Sequence, residues 1–359
     1  MIPEIDDAAL TLLAWFDGCL RDLPWRQSPD PYRVLVSEVM LQQTRVETVI
    51  PHFERWMERF PTVDALARAG VDEVLVEWEG LGYYSRARNL HTAARFVRDS
   101  LGGKIPDSAE RLRELPGVGE YTAGAVASIA FDRPEPAVDG NARRVLSRLF
   151  DLSAPTASAL RERAVAMVPA ERPGDFNQAL MELGATICRP RSPRCRECPL
   201  SAACLARACG TIAERPGRAQ RPPIPSFDLG VAVVMSQRGR ALMVRRSENG
   251  MLGGMWEYPG RVVEPGELPA QAASRAASAL APDATCARPL AAVPHTYSHR
   301  HHVYHAFVFD TDHESDPDPD AVSRGGWTGT AWERPDPAGR ALPAAQRKIA
   351  RALAALSPC

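Results

Sequence analysis

Cys188, Cys195, Cys198 and Cys204 stand in the pattern C-x6-C-x2-C-x5-C. Four thiolates in so short a stretch can wrap one metal centre without help from a distant segment. Structural zinc and a [4Fe–4S] cluster both use such a set. Zinc modules usually pair two Cys-x2-Cys knuckles across a longer spacer, and one such pair is present here, so the spacing favours the cluster. Cys209 is spare in either case, and Cys19, Cys286 and Cys359 read as core or surface thiols. Arg189, Arg191, Arg194 and Arg196 lie within the cysteine loop. They form either a phosphate-facing surface or a solvated one.

A second constellation involves carboxylates. On a helical projection of the run from Pro31, Glu38 falls between Val34 and Leu41 on one side and Leu35 and Val39 on the other. A solvated Glu belongs on a polar face, whereas this one sits in an apolar arc. Burial without a partner raises a carboxyl pKa, as a general acid requires, although a Glu paired with an Arg or a backbone donor is the competing reading. Asp139 opens the helix ARRVLSRLF, where an isolated Asp is ordinarily an N-cap. Twenty residues before it, Leu115–Gly119 (LPGVG) lies between two predicted helices. Gly117 and Gly119 permit positive φ and close backbone approach, and the next helix offers free N–H groups that can hold a phosphate. A plain helix–helix connection uses the same residues.

These residues must be positioned by a chain of 359 residues, long enough for two domains. Residues 1–212 read as successive helices: Asp30 caps one with Pro31 at its first position, Thr62 caps another, and Ser85 opens a third that ends at Gly102-Gly103. Further helices are expected near 108–114, 120–131, 139–150, 157–168 and 175–187. Residues 213–226, rich in Pro and Arg, read as an extended linker. Residues 227–359 read as α+β, with a hairpin about QRG, a strand HHVYHAFVFD, and helices near 267–281 and 342–356.

Bulk properties restrict the classes. The N-terminal residues do not form a secretory signal, and no apolar run approaches the roughly 18–20 residues of a membrane span, so a soluble protein away from membranes is expected. Clustered cysteines without a signal point to a reducing compartment, hence the cytoplasm. A net charge of −1 says nothing for nucleic acid. Lys104 and Lys348 are the lysines; Arg elsewhere reads as coding bias.

The order and spacing of Leu115–Gly119, Asp139 and the four-cysteine loop resemble the helix-hairpin-helix, iron–sulfur DNA glycosylase superfamily. Within it the chain resembles the MutY branch through LPW (23–25), SEVMLQQT (37–44), GLGYYSRARNL (80–90) and FNQALMELGATIC (176–188). The fold this implies is an all-α helix-hairpin-helix catalytic domain with a cluster loop at 188–204, followed by a Nudix-like α+β domain for lesion recognition. Bifunctional relatives of the endonuclease III type carry a nucleophilic Lys two residues after the second hairpin glycine. Tyr121 stands there, so the resemblance implies a monofunctional glycosylase.

By the same resemblance, Glu38 protonates a flipped adenine and Asp139 stabilises the oxocarbenium-like sugar, with Tyr121 and Asn141 in support. Trp25, Arg26 and Glu182 would line the adenine pocket. Gln43 and Tyr83 would wedge into the base stack, Thr44 and the Leu81 backbone would approach the partner base, and Gly117 and Gly119 would meet the DNA backbone. Cys188, Cys195, Cys198 and Cys204 would hold one [4Fe–4S] cluster per chain. The implied partner is double-stranded DNA bearing adenine opposite 8-oxoguanine or guanine, bound by a monomer. Around Gly254–Gly260 the second domain resembles a Nudix fold, but LPAQAASRAASALA lacks the glutamates a pyrophosphatase needs, so it should not hydrolyse nucleotides. Ser298 and His299 match the family's lesion-reading turn, with a plain polar loop or a His-rich metal site as the other readings.

Overall fold

A computed structural model of the chain describes residues 5–19, 21–217 and 223–355. Cys359, linker residues 218–222 and the side chain of Cys286 lie outside what is described. Contacts divide the chain into two compact units, Met1–Arg68 with Asn89–Gln220, and Ala69–Arg88 with Arg221–Cys359. The sequence reading kept 69–88 within the first domain, whereas the contacts group it with the second.

The helical part begins with α1 (Ile5–Cys19), α2 (Pro31–Leu41), α3 (Val46–Arg59), α4 (Val63–Arg68) and α5 (Val71–Glu77). It continues through α6 (Ser85–Ser100), α7 (Ala109–Leu112), α8 (Glu120–Phe131) and α9 (Gly140–Leu149). α10 (Ala157–Val165), α11 (Pro173–Thr186) and α12 (Leu205–Ala208) complete it. The boundaries follow local chemistry. The Asp30 side chain accepts from Arg33 N at 2.9 Å, and Thr62 Oγ1 accepts from Ala65 N at 3.1 Å, each satisfying an orphan donor of the first turn. α1 presents Ala8, Ala9, Leu12, Leu13 and Phe16 on one face, and these pack with Val145, Leu146 and Leu149 of α9 and Phe176, Leu180 and Leu183 of α11. α8 is built of small residues and buries Thr122–Ser128, so α2 and α11 can pack closely on it.

The expected extended linker is corrected at its start. Residues 212–214 form a 3₁₀ turn, Gly217 N donates to Ser153 O at 2.6 Å, and Arg215 pairs with Asp151 at 2.7 Å. These bonds satisfy backbone and charge, so the chain there is anchored.

The second unit contains a mixed seven-stranded sheet of β1 (Ser226–Ser236), β2 (Ala241–Arg246), β3 (Trp256–Glu257), β4 (Gly260–Val262), β5 (Thr285–Tyr297), β6 (Arg300–Thr311) and β7 (Trp327–Glu333). The main path runs β3-β2-β1-β6-β5, with β4 paired to β1 and β7 to β2. β1 and β6 are parallel; the other pairings are antiparallel. α13 (Pro269–Leu280) and α14 (Pro319–Arg324) contribute to the core on one face, and α15 (Ala344–Ala354) to that on the other. β5 escaped the sequence reading because it carries Pro289 and Pro294 and two register shifts. It ends the main path, where a residue without an N–H is tolerated.

Candidate active site

A cavity of about 580 Å³ opens in the helical unit, within the range of small-molecule sites. It is lined by Trp25, Arg26, Glu38, Gln43, Thr44, Tyr121, Asp139, Asn141 and Glu182, all residues singled out from the sequence. α2 brings Glu38, the start of α8 brings Tyr121, the N-cap of α9 brings Asp139, and α11 brings Glu182.

Glu38 is 5% exposed. Burial pushes its carboxyl up to about 7, aided by the neighbouring Asp139 charge and opposed by Tyr121 and Arg26. Its hydrogen-bond partner is the Tyr121 hydroxyl, which donates to Oε2 and also lies 3.3 Å from Met181 Sδ. Among the described residues, neither an arginine nor a backbone donor takes that place, as the competing reading had it.

Asp139 caps α9 and also lines the cavity. Oδ1 accepts from Ala142 N at 2.6 Å as a helix cap, and Oδ2 accepts from Asn141 Nδ2 at 3.0 Å. Burial raises its pKa, while these bonds and the Arg144 charge pull it down. Asn141 Oδ1 in turn accepts from Arg144 Nη2 at 2.9 Å, and Arg144 Nε donates to Cys188 O at 2.7 Å. Gly184 permits this arrangement: a Cβ there would lie 2.6 Å from Asn141 Cβ.

The far wall is an ion-pair cluster. Buried Glu182 accepts from Arg21 Nη2 at 2.9 Å and from Arg26 Nη2 at 3.0 Å, and Arg26 Nε donates to Gln178 Oε1 at 3.0 Å. Trp25 serves as both core and lining, edge-on to Phe53 with ring centroids 5.5 Å apart. Sequence reasoning missed Arg21, Gln178 and Met181. A signal existed for two of them, since Gln178, Met181, Glu182 and Ala185 recur at helical spacing and share the cavity-facing side of α11.

In the hairpin, Gly117 has φ +77°, and a Cβ there would meet Asn89 Cβ at 2.5 Å. Gly119 corrects the expectation of positive φ: it caps α8 at φ −89°, an ordinary value, with open space where a Cβ would project. Its absent side chain leaves room for an approaching ligand.

Cys188, Cys195, Cys198 and Cys204 line one small cavity of about 30 Å³ with Arg148 beside them. Among the described residues, no three His, Cys, Asp or Glu side chains are grouped to hold a metal ion. Burial pushes the Cys198 thiol up to about 11 and raises Cys204, each worsened by the other cysteines. Arg148, only 4% exposed, donates to Cys188 Sγ at 3.3 Å and to Arg189 O at 2.8 Å. It therefore supports the loop from within and offers no free grip on phosphate.

In the second unit, Ser298 and His299 form the exposed two-residue turn between β5 and β6, with Ser298 Oγ 3.2 Å from His299 Nδ1. His301 and His302 point to opposite sides of β6, as expected for consecutive strand residues. Tyr83 is 44% exposed, while its neighbour Tyr84 is buried. Both backbone groups of Leu81 are engaged within the turn: N donates to Trp78 O at 3.2 Å, and O accepts from Arg86 Nη2 at 2.9 Å. In the Nudix-like region Glu257 is paired with Arg246 and Glu267 with Arg275.

Residues 36–170 match the model of the HhH-GPD superfamily of base excision DNA repair proteins, and residues 230–352 match that of the NUDIX domain. The adenine DNA glycosylase of Mycolicibacterium smegmatis is 45% identical over 214 residues, covering 57% of this chain and 72% of the relative. The chain belongs to the adenine DNA glycosylase family. The human adenine DNA glycosylase is 39% identical over 362 residues, covering 83% of this chain and 66% of the human protein. Among three mammalian relatives, the matched part spans 62% to 66% of their length. In three dimensions the helical part is similar to a thermostable thymine-DNA glycosylase, with TM-score 0.54, 31% identity, and coverage of 57% of this chain and 97% of that one. Family membership thus agrees with both parts of the fold, helical repair domain and Nudix-like sheet.

Proposed function

We propose that this chain is a monofunctional adenine DNA glycosylase that hydrolyses the N-glycosidic bond of adenine mispaired with 8-oxoguanine or guanine in double-stranded DNA. The observation that carries the reading is the buried Glu38, with its pKa near neutrality, beside Asp139 in a nucleoside-sized cavity. An adenine within the duplex must be flipped to enter that cavity. Tyr121 holds Oε2 of Glu38, leaving Oε1 to carry the proton to the imidazole ring of adenine. The C1′–N9 bond then breaks, its electron pair leaving with the base and positive charge growing on the sugar. Asp139, held by Asn141 and Ala142 N, faces that charge as a carboxylate. Water adds its oxygen to C1′ and gives a proton to the Glu38 carboxylate. Tyr121 occupies the place of the amine nucleophile, so no Schiff base forms and strand cleavage needs alkali.

Trp25, Arg26 and Glu182 would read the base. Gln43 and Tyr83 would fill the gap in the stack, Thr44 and Leu81 would meet the partner base, and Ser298 and His299 would test it for 8-oxoguanine. Gly117 and Gly119 would receive the DNA backbone. The four cysteines would hold a [4Fe–4S] cluster, which supplies no chemistry to hydrolysis and fixes the 188–204 loop. The four sulfurs round one cavity supply the four thiolates that such a cluster needs. A monomer acting in the reducing cytoplasm completes the reading.

The test is a single-turnover assay on a duplex with adenine opposite 8-oxoguanine, with and without alkali, beside a thymine-glycol duplex. Alkali-dependent cleavage of the adenine strand alone is expected. Cleavage of the thymine-glycol strand without alkali would replace this reading with that of a bifunctional enzyme.

A further inference from the structure

The turn carrying Tyr83 belongs by its contacts to the second unit. Its backbone is unusual: Gly80, Gly82 and Tyr83 have φ of +104°, +69° and +47°. A bulky residue at positive φ is uncommon and must be over-determined by its surroundings. Part of the restraint is local. Trp78 Nε1 donates to Gly82 O at 3.0 Å, and Arg86 Nη2 reaches both Leu81 O and Gly82 O, at 2.9 and 3.1 Å. The Arg86 guanidinium lies 5.2 Å from the centre of the Trp78 ring and 5.6 Å from that of Tyr83.

The rest comes from far along the chain. Arg347 of α15 donates from Nε to Glu79 Oε1 at 2.8 Å and from Nη2 to Glu79 Oε2 at 2.6 Å. This is a two-point grip on the residue that immediately precedes the turn, and such pairing fixes orientation as well as position. Arg347 is itself held by Asp336, Pro337 O and Arg340 O. Upstream, Arg245 of β2 donates to Asp72 Oδ1 at 3.0 Å; downstream, Arg88 donates to Gly253 O. The segment is thus tied to the sheet domain before and after Tyr83, and its own unit also carries the Ser298–His299 turn.

We propose that Arg347, through Glu79, positions Tyr83 for insertion into the base stack, so that the lesion-reading domain and the wedge act as one body. This rests on the function proposed above. Arg347 is a positioning residue: it would touch no DNA itself.

A double-mutant cycle with Tyr83→Ala and Arg347→Ala tests it, read by single-turnover excision of adenine opposite 8-oxoguanine. A parallel readout is the fluorescence of 2-aminopurine placed beside the lesion, which rises when the stack opens on binding. Arg347→Ala is expected to slow excision roughly tenfold, about 1.4 kcal/mol. It should also suppress the fluorescence rise, with duplex affinity changed by less than about twofold. Arg347→Lys should recover part of both, and the double variant should be no slower than Tyr83→Ala alone. Multiplying rate losses, or an unchanged fluorescence rise in Arg347→Ala, would overturn the proposal. Should that variant fail to fold, Glu79→Gln runs the same cycle with Arg347 still held by Asp336. Wild-type chain that opens the stack but leaves adenine in place refutes the activity alone, and the fluorescence arm still judges the clamp. Wild-type chain that does neither refutes both.

Discussion

Glu38 and Asp139 share a cavity yet are asked for opposite protonation states, and the environment of each supplies the difference. Glu38 takes the Tyr121 hydroxyl as its donor and is pushed up to about 7, whereas Asp139, raised by burial, has that rise opposed by the hydrogen bonds it accepts and by the Arg144 charge. The excision rate should therefore fall as pH rises through about 7, where Glu38 loses its proton. On the acid side it should fall as Asp139 becomes protonated, at a pH higher than for an ordinary aspartate because burial raises its pKa. A pH–rate profile under single-turnover conditions checks both limbs. The same group affects stability with a definite sign. A carboxyl whose folded pKa lies above its unfolded value contributes fully below the unfolded value and loses that contribution as pH rises through the folded one. Glu38→Gln should consequently abolish excision while making the fold more stable than wild type above pH 7, by roughly 1–3 kcal/mol. Denaturant unfolding at acid and alkaline pH measures the difference, and equal stability of the two chains at high pH would contradict it. Glu38 was legible because a charge interrupting an apolar arc is visible in one dimension. Arg21 was not, because its partner Glu182 lies 161 positions away.

At the level of elements, the active-site geometry depends on how closely α9 and α11 approach. Gly184 faces Asn141, with the place of a Cβ only 2.6 Å from Asn141 Cβ and 3.0 Å from its backbone carbonyl. Gly184→Ala should push the start of α9 outward, costing about 1–3 kcal/mol of stability. Excision should suffer beyond that loss, because Asn141 orients Asp139. Comparing rate and unfolding free energy in this variant with Gly102→Ala is decisive. Gly102 has φ +60° and open space around it, so its variant bears backbone strain alone. An activity loss in Gly184→Ala no greater than in the control would contradict the argument. The cysteine loop makes a separate prediction. Burial and neighbouring cysteines raise the Cys198 and Cys204 thiols, so a metal centre bound there must displace their protons. Cys198→Ser should lower bound iron and the thermal midpoint together, and retention of full iron content would refute the ligand assignment. Helices were readable from caps and periodicity, as Asp30 and Thr62 show. β5 was not, since its prolines and bulges erase the alternation that identifies a strand.

The organisation of the whole chain was only partly legible, for a physical reason. A Pro/Arg-rich stretch near 213–226 announces where the composition changes, but composition cannot show that residues 69–88 make their contacts with a sheet formed much later in sequence. That segment buries Val74, Leu75 and Trp78, and Leu75 Cδ1 lies 3.9 Å from where a Cβ on Gly254 would project. Its Asp72 and Glu79 find their arginines on β2 and α15. A chain ending at Gly217 would keep the whole catalytic cavity and all four ligand cysteines, and would look from its sequence like an intact helical domain. It would nevertheless deprive 69–88 of Arg245, Arg347 and the Gly253 carbonyl, taking these arginines from Asp72 and Glu79 and opening apolar surface to water. Amide hydrogen exchange should accordingly accelerate across 69–88 in the shortened chain while the amides of α8 and α11 stay protected. Excision should weaken although the Glu38 cavity is complete. Protection of 69–88 equal to that in the full chain would mean that the segment is held by the helical domain after all, and that the two domains divide where the linker does.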